Sequence, residues 1–227
     1  FTIDVADYIG RQAEASELAG FRDATKKFLG KVQVPGLAAP LDVTEEDIET
    51  IAGKYLWPVK EAGRISRRIG EGKRGAPYVT EVSFDEASLP QTPKELFFIL
   101  AAIAQEGIPI QTVAPKFSGK FLKGIDYVGS RELFGREFAE DLRVIAFAVR
   151  TFGLPANLKI SVHSGSDKFS LYPIIRAAMK EQGAGIHLKT AGTTWLEELI
   201  GLASAEGSGL AIAPASYRRA HGRIDEL

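Results

Sequence analysis

Apolar and polar residues alternate in short runs along this chain, and each run predicts a β-strand. The period of two is clearest at residues 1–7, where Phe1, Ile3 and Val5 share one face. Further runs predicted as strands are 78–86, 108–115, 159–163, 185–189 and 209–214. Helical patterns separate most of these runs, so the order of elements predicts a parallel sheet covered by helices.

Capping residues mark the predicted helices. Thr92 with Glu95 three residues later predicts a capping box, and Ser130 and Gly153 bracket a second, long helix. Thr44 predicts a third N-cap, whose helix is expected to end at about residue 56 because Pro58 breaks the pattern.

Residues 10–77 form a mostly helical excursion between the first two strands, longer than one crossover helix requires. Within it, residues 31–40 are predicted to be an irregular connector. We interpret the excursion as a helical insertion or lid, with a plain pair of packing helices as the alternative.

Polar residues recur on one face of several strands, which favours a parallel (β/α) barrel of TIM type over an open doubly wound sheet. They are Asp4, Glu81, Ser83, Lys159, His163, His187 and Lys189. A sheet packed on both faces would be more continuously apolar. A closed barrel needs about eight strands. We therefore predict a single α/β domain over residues 1–227 that is incomplete in this chain, as expected for part of a longer protein.

Composition narrows the functional classes. The chain has 227 residues, 45% hydrophobic and 25% charged, with a net charge of -1, so nothing indicates binding to nucleic acid or to a membrane surface. Cysteine is absent, which excludes disulfides and thiolate metal sites and fits a cytoplasmic protein. No apolar run approaches the roughly 20 residues of a membrane helix.

Two histidines occupy equivalent places in successive β-loop-α units, KISVHSGSDK and GIHLKTAGTTW. His163 and His187 each lie on a predicted strand that leads into a helix, and ligands bind at that edge of parallel sheets. With Glu81 or Asp4 they would hold a divalent cation of unknown identity. A buried, hydrogen-bonded structural histidine is the alternative for each.

Carboxylates and lysines complete the candidate site. Glu81 and Asp85 share a strand face, and burial in a barrel mouth would raise a carboxyl pKa toward neutrality for proton transfer. The alternative is a loop-capping carboxylate, which is favoured more for Asp85 than for Glu81. Lysines follow several strands: Lys116, Lys120, Lys123, Lys168 and Lys189. With the helix starts after Asp167 and Thr193 they predict an anion site for a carboxylate or phosphate, although Lys120 is expected to be a solvated surface group.

Four segments, APKFSGKFLKGIDYVG, EFAEDLRVIAFAVRTFGLP, KISVHSGSDKFSLYPII and GIHLKTAGTTWLEELIGLA, resemble the tagaturonate epimerase family of bacterial hexuronate catabolism. The resemblance implies a metal-dependent isomerase that interconverts D-tagaturonate and D-fructuronate on a barrel-like fold, with His163 and His187 as metal ligands. The remaining assignments are Glu81 and Asp4 as catalytic groups, and Lys116, Lys123, Ser164, Ser166, Lys168 and Lys189 as groups that bind the sugar acid. SVHSGSD also resembles, more faintly, the class II aldolases.

The chemistry of these substrates suggests a mechanism. The two ketouronates differ at C4, whose hydrogen is β to the ketone and is not acidified by it. Deprotonation of the C4 hydroxyl would instead allow retro-aldol cleavage of the C3–C4 bond, rotation of the aldehyde and re-addition. A class II aldolase or another sugar isomerase remains the alternative enzyme, and a non-catalytic sugar-acid-binding domain is the alternative outside enzymes.

Overall fold

The computed structural model describes residues 1–192, 195–205 and 207–226. Its strands, in chain order, are β1 (Thr2–Asp4), β2 (Gly30–Val32), β3 (Leu41–Val43), β4 (Thr80–Ser83), β5 (Ile110–Ala114), β6 (Lys159–Gly165) and β7 (Ile186–Thr190). Its α-helices are α1 (Ala15–Thr25), α2 (Glu45–Lys73), α3 (Pro93–Gln105), α4 (Arg131–Phe152), α5 (Tyr172–Gln182), α6 (Trp195–Ser204) and α7 (Ser208–His221).

Five strands form one parallel sheet in the order β1-β4-β5-β6-β7, so the predicted parallel α/β arrangement is confirmed. Successive strands are neighbours, and α3, α4 and α5 provide the crossovers that parallel pairing requires. Within the part of the chain that the structure describes, the sheet is open, with β1 and β7 at its edges. All five carboxyl ends therefore meet at one side of the sheet.

Helix α3 lies at the centre of the helical layer, between α2 and α4. Its capping box is confirmed, since the Glu95 amide donates to the Thr92 hydroxyl at 3.2 Å. From residue 96 to 103 no side chain is more than 2% exposed, and the Phe97 ring lies 4.9 Å from Phe152 on α4. Each large apolar side chain buried in this way contributes about 1.5–3 kcal/mol, so this helix anchors the layer.

The segment between β1 and β4 differs from the prediction in two ways. Residues 30–32 and 41–43 pair as an antiparallel ribbon, which takes in residues 31 and 32 of the expected connector, whereas residues 33–40 are irregular as predicted. Helix α2 also continues through Pro58 instead of ending before it. Proline removes the amide that would bond the Lys54 carbonyl, but the Gly10 amide donates to that carbonyl at 2.9 Å. The helix survives because a distant part of the chain replaces the missing donor.

The same segment connects two neighbouring parallel strands, β1 and β4. Helix α2 packs against α3 and β1, and α1 packs against α2. Residues 45–73 thus occupy the position of a crossover helix. No helix among residues 1–192, 195–205 and 207–226 is long and apolar enough to cross a membrane.

The predicted strand at residues 209–214 is wrong, because these residues lie within α7. Alternation over six residues does not distinguish a strand from a short helical stretch. Alanine favours the helix, and Leu210 and Ile212 are about half exposed, so no sheet face buries them. Helix α7 packs instead against α6.

Asp141 lies on the buried face of α4 among Phe138, Leu142 and Ile145. Burial raises the pKa of Asp141 well above its ordinary value, and repulsion from Glu137 acts in the same direction. The folded state therefore favours the neutral carboxyl, whereas the unfolded chain ionises near pH 4. The contribution of Asp141 to stability is complete below that pH and is lost as pH rises toward the folded-state pKa.

We expect Asp141→Asn to raise the free energy of unfolding at pH 7 by on the order of 1 kcal/mol or more. Each kcal/mol should raise Tm by about 2–4 °C. The gain should shrink toward zero near pH 4. Thermal unfolding of both proteins from pH 4 to 8 measures it, with the exposed Asp7→Asn as a matched control. A difference that does not vary with pH would contradict this account of Asp141.

Candidate active site

Strands β6 and β7 bring the two predicted histidines to one face of the sheet. In their parallel register Ser161 lies beside His187, and His163 lies beside Lys189. The His163 side chain is 11% exposed and that of His187 is 46% exposed. The two β-loop-α units are therefore neighbours, as predicted, with one imidazole enclosed and the other open to solvent.

A buried carboxylate, Glu81 on β4, links both imidazoles. Its Oε1 atom lies 2.8 Å from His163 Nε2, and its Oε2 atom lies 3.0 Å from His187 Nδ1. Two hydroxyls also donate to it: Thr2 to Oε1 at 3.0 Å and Thr112 to Oε2 at 2.8 Å. Four strands thus contribute hydrogen bonds to this one side chain, which belongs to a fifth.

The ionisation of Glu81 departs from the prediction that burial would raise a carboxyl pKa toward neutrality. Burial does oppose its ionisation, but hydrogen bonds from His163, Ser161 and Thr112 outweigh burial and hold the pKa of Glu81 well below its ordinary value. The prediction is wrong for this residue because it considered desolvation without the donors. Glu81 is a carboxylate at neutral pH.

His163 joins Glu81 to a second carboxylate, Asp85. Its Nδ1 atom lies 2.9 Å from Asp85 Oδ2. Burial disfavours the imidazolium, but hydrogen bonds to Asp85 and Glu81 outweigh it and raise the pKa of His163 to about 9. The pKa of Asp85 is lowered, since hydrogen bonds from His163 and Ser83 exceed the effect of its burial. The row Asp85–His163–Glu81 is therefore a charged network in its present state.

The other predicted catalytic carboxylate, Asp4, is not brought into this network. It is exposed at the end of β1, and its Oδ1 atom accepts a hydrogen bond from the Ala6 amide at 3.0 Å. It lies on the predicted sheet face, since it pairs with Ser83 in register. Its side chain instead fixes the turn that follows the strand.

Three residues predicted to bind the sugar acid are buried at the end of β6 and in the loop after it. Ser164, Ser166 and Lys168 are 1%, 5% and 1% exposed. The Lys168 ammonium donates to the Ser166 carbonyl at 2.6 Å and to its hydroxyl at 2.9 Å. The Gly124 amide donates to the same hydroxyl at 3.1 Å. As placed, these groups hold the loop after β6 against the loop after β5.

The remaining predicted lysines lie nearer to solvent. Lys116 is half-buried, whereas Lys123 and Lys189 are exposed. A cleft of about 450 Å³ contains Lys116 together with Asp85 and His163. The predicted helix start at Thr193 lies outside the described residues.

The side chains of His163, His187 and Glu81 can be compared with the metal site that the sequence predicted. Among residues 1–192, 195–205 and 207–226, no group of three or more His, Asp or Glu side chains is arranged to hold a metal ion. The imidazole nitrogens and the Glu81 oxygens pair with one another at 2.8 and 3.0 Å. Ligand atoms at about 2.0–2.2 Å from one ion and at right angles to each other are also about 3 Å apart. The donor types and these two pairwise distances are compatible with a divalent cation, but the groups are not arranged around one ion in this structure.

The hydroxyls that surround Glu81 were missed in the sequence. Thr2 and Thr112 lie opposite Glu81 in the register of β1 and β5, and Ser161 lies 3.0 Å from His187. Small polar residues inside apolar strands were the available signal. Without the register, nothing in the sequence connects them to one carboxylate.

Comparison with known proteins decides the family. The model of a family described as tagaturonate epimerase matches residues 2–211. A tagaturonate/fructuronate epimerase of Thermotoga maritima is 30% identical over 87% of this chain.

The chain belongs to the tagaturonate epimerase family.

Solved structures agree in fold with this family assignment. A crystal structure of the fructuronate-tagaturonate epimerase of Cohnella laeviribosi with one glycerol has a TM-score of 0.69 at 24% identity, and its native form has a TM-score of 0.66 at 24%. Each covers 99% of this chain. The chain spans 40% of the Thermotoga maritima relative and 45% of each solved chain.

Glu81→Gln tests whether the hydrogen bonds to Glu81 stabilise the fold. Glutamine has one side-chain oxygen, which can accept only some of the four hydrogen bonds that Glu81 makes. Its NH₂ group would face the remaining donors and leave them unpaired. We expect a loss of about 2–4 kcal/mol in the free energy of unfolding. Urea unfolding measures it, with the exposed neighbour Glu86→Gln as the control. Equal stability of the two variants would show that the network does not support the fold.

Proposed function

We propose that this chain carries active-site residues of an enzyme that interconverts D-tagaturonate and D-fructuronate. One observation carries the proposal: imidazoles from adjacent strands converge on a buried carboxylate at the ligand-binding edge of a parallel sheet, within a member of the tagaturonate epimerase family. The polar inner face of the strands also supports a (β/α) barrel in which β1 and β7 pair with further strands.

We propose that His163, His187 and Glu81 hold a divalent metal ion. Two imidazoles and a carboxylate are a common ligand set, and the Nδ1 atom of His163 already faces Asp85, the second-sphere arrangement that orients a ligating histidine. Binding requires the proton on His163 Nε2 to leave. A cation bound here would polarise the ketone of the substrate.

Glu86 also lines the cleft, but the carboxylate there that pairs with His163 is Asp85. We propose that it accepts the proton of the C4 hydroxyl. The C3–C4 bond then breaks, its electron pair passes into an enediolate at C2 and C3, and C4 becomes an aldehyde. Rotation of the aldehyde presents its other face, the C3–C4 bond re-forms, and Asp85 returns the proton to the new C4 oxygen. Asp4, exposed and engaged with Ala6, takes no part.

Metal content tests the ligands independently of turnover. We expect His163→Ala and His187→Ala in the full protein to lose bound metal, by more than the roughly 10–100-fold in affinity typical of an outer-sphere partner. Elemental analysis after dialysis measures this, and circular dichroism confirms folding. His221→Ala is the matched control, because His221 is exposed on α7. Unchanged metal content in either site variant would refute that ligand assignment.

An isotope experiment tests the bond cleavage. Substrate deuterated at C4 should epimerise in ordinary water with its label retained, because the C4 hydrogen stays on the aldehyde carbon throughout. Direct deprotonation of C4 would place that hydrogen on a carboxylate, where exchange with solvent removes it. Mass spectrometry of the product after the first turnover measures retention. Complete loss of the label would exclude the retro-aldol route.

A further inference from the structure

The cleft beside His163 is lined by a second lysine, Lys120, which the sequence suggested was only a surface group. Asp85 and His163 form one part of its wall, and Lys116, Lys120 and Phe121 form another. Carboxylate and ammonium groups thus line the same space of about 450 Å³, which is large enough for a six-carbon sugar acid.

Neither lysine is neutralised by the protein. Across residues 1–192, 195–205 and 207–226, Lys116 and Lys120 form no ion pair, whereas Lys54, Lys60 and Lys94 each pair with a carboxylate. An unpaired ammonium at the wall of a cleft is available to an anionic ligand.

The backbone that carries Lys120 is held in place. Lys120 and Val128 form an antiparallel bridge, with N···O distances of 2.8 and 3.3 Å. The buried Tyr127 ring packs against Gly119, where a Cβ atom would collide with the tyrosine ring and hydroxyl. Its hydroxyl donates to the Ser118 carbonyl at 2.9 Å. A side chain at position 119 would require Tyr127 to shift, so this turn favours glycine next to Lys120.

Lys116 is fixed by a different contact, since its amide donates to the Gln91 side chain at 2.9 Å. Two cations therefore project from backbone positions that are set before a ligand arrives. A backbone that is already ordered lowers the conformational cost of binding a ligand through these two lysines.

We propose that Lys120, together with Lys116, binds the carboxylate of the sugar acid and so selects acids over neutral ketoses. This inference rests on the proposed function and adds to it the residue that recognises charge. The reacting carbons then lie toward Asp85 and His163. The buried Lys168, by contrast, acts on the loop and not on the ligand.

Calorimetry on the full protein tests the proposal with two ligands, D-tagaturonate and D-tagatose, which has a hydroxymethyl group in place of the carboxylate. We expect Lys120→Met to raise the Kd for D-tagaturonate by about 10-fold to 100-fold. The Kd for D-tagatose should change less than about twofold, because methionine keeps the length of the side chain without its charge. Lys120→Arg should retain most of the affinity for the acid.

The control is Lys159→Met, at the opposite end of β6 from His163 and exposed. Wild-type affinity in Lys120→Met, or equal losses for both ligands, would overturn the proposal. So would a wild-type protein with no preference for the acid. Turnover is measured separately: preferential binding of the acid without epimerisation would refute the proposed function and leave the role of Lys120 standing.

Discussion

The ionised Glu81 is the constraint on which this side of the sheet depends. A carboxylate that is 2% exposed is costly unless its oxygens are fully hydrogen-bonded. Hydroxyls on β1 and β5 and imidazoles on β6 and β7 supply those bonds. Since the donors come from four strands, the register of each strand matters to the same group. A slip of one residue in any strand would turn its donor to the other face.

The loops at this edge depend on one another in a similar way. Lys168 bonds both polar atoms of Ser166, whose hydroxyl also receives the Gly124 amide. Asp126 accepts from both the amide and the hydroxyl of Ser170. The loop that carries the cleft lysines is therefore fastened at two points to the loop that follows His163. Burial lowers the pKa of Lys168, although the charges of Asp126 and Asp167 oppose that shift.

Short sequence patterns predicted the helix boundaries well where capping residues next to the helix determine them. Capping at Thr92 and Ser130 and the glycine after α4 placed two helices almost to the residue. The placement of His163 and His187 on neighbouring strands followed from two similar segments in succession. The errors arose where distant contacts decide. Helix α2 continues through Pro58 because the Gly10 amide bonds the free carbonyl, and the pKa of Glu81 is lowered by donors from other strands. The strand predicted at residues 209–214 failed because no sheet face was there to bury it.

The proline in α2 has a consequence for how this fold tolerates changes in length. The bond from Gly10 reaches the carbonyl that Pro58 leaves free, so the helix is fixed along its axis relative to the end of β1. An inserted residue between Thr44 and Lys54 would rotate that carbonyl by about 100° and move it about 1.5 Å along the axis. Glycine at position 10, with a φ of 84°, could not follow without changing the turn. Insertions and deletions are therefore better accommodated in the connection between β2 and β3 than in the first turns of α2.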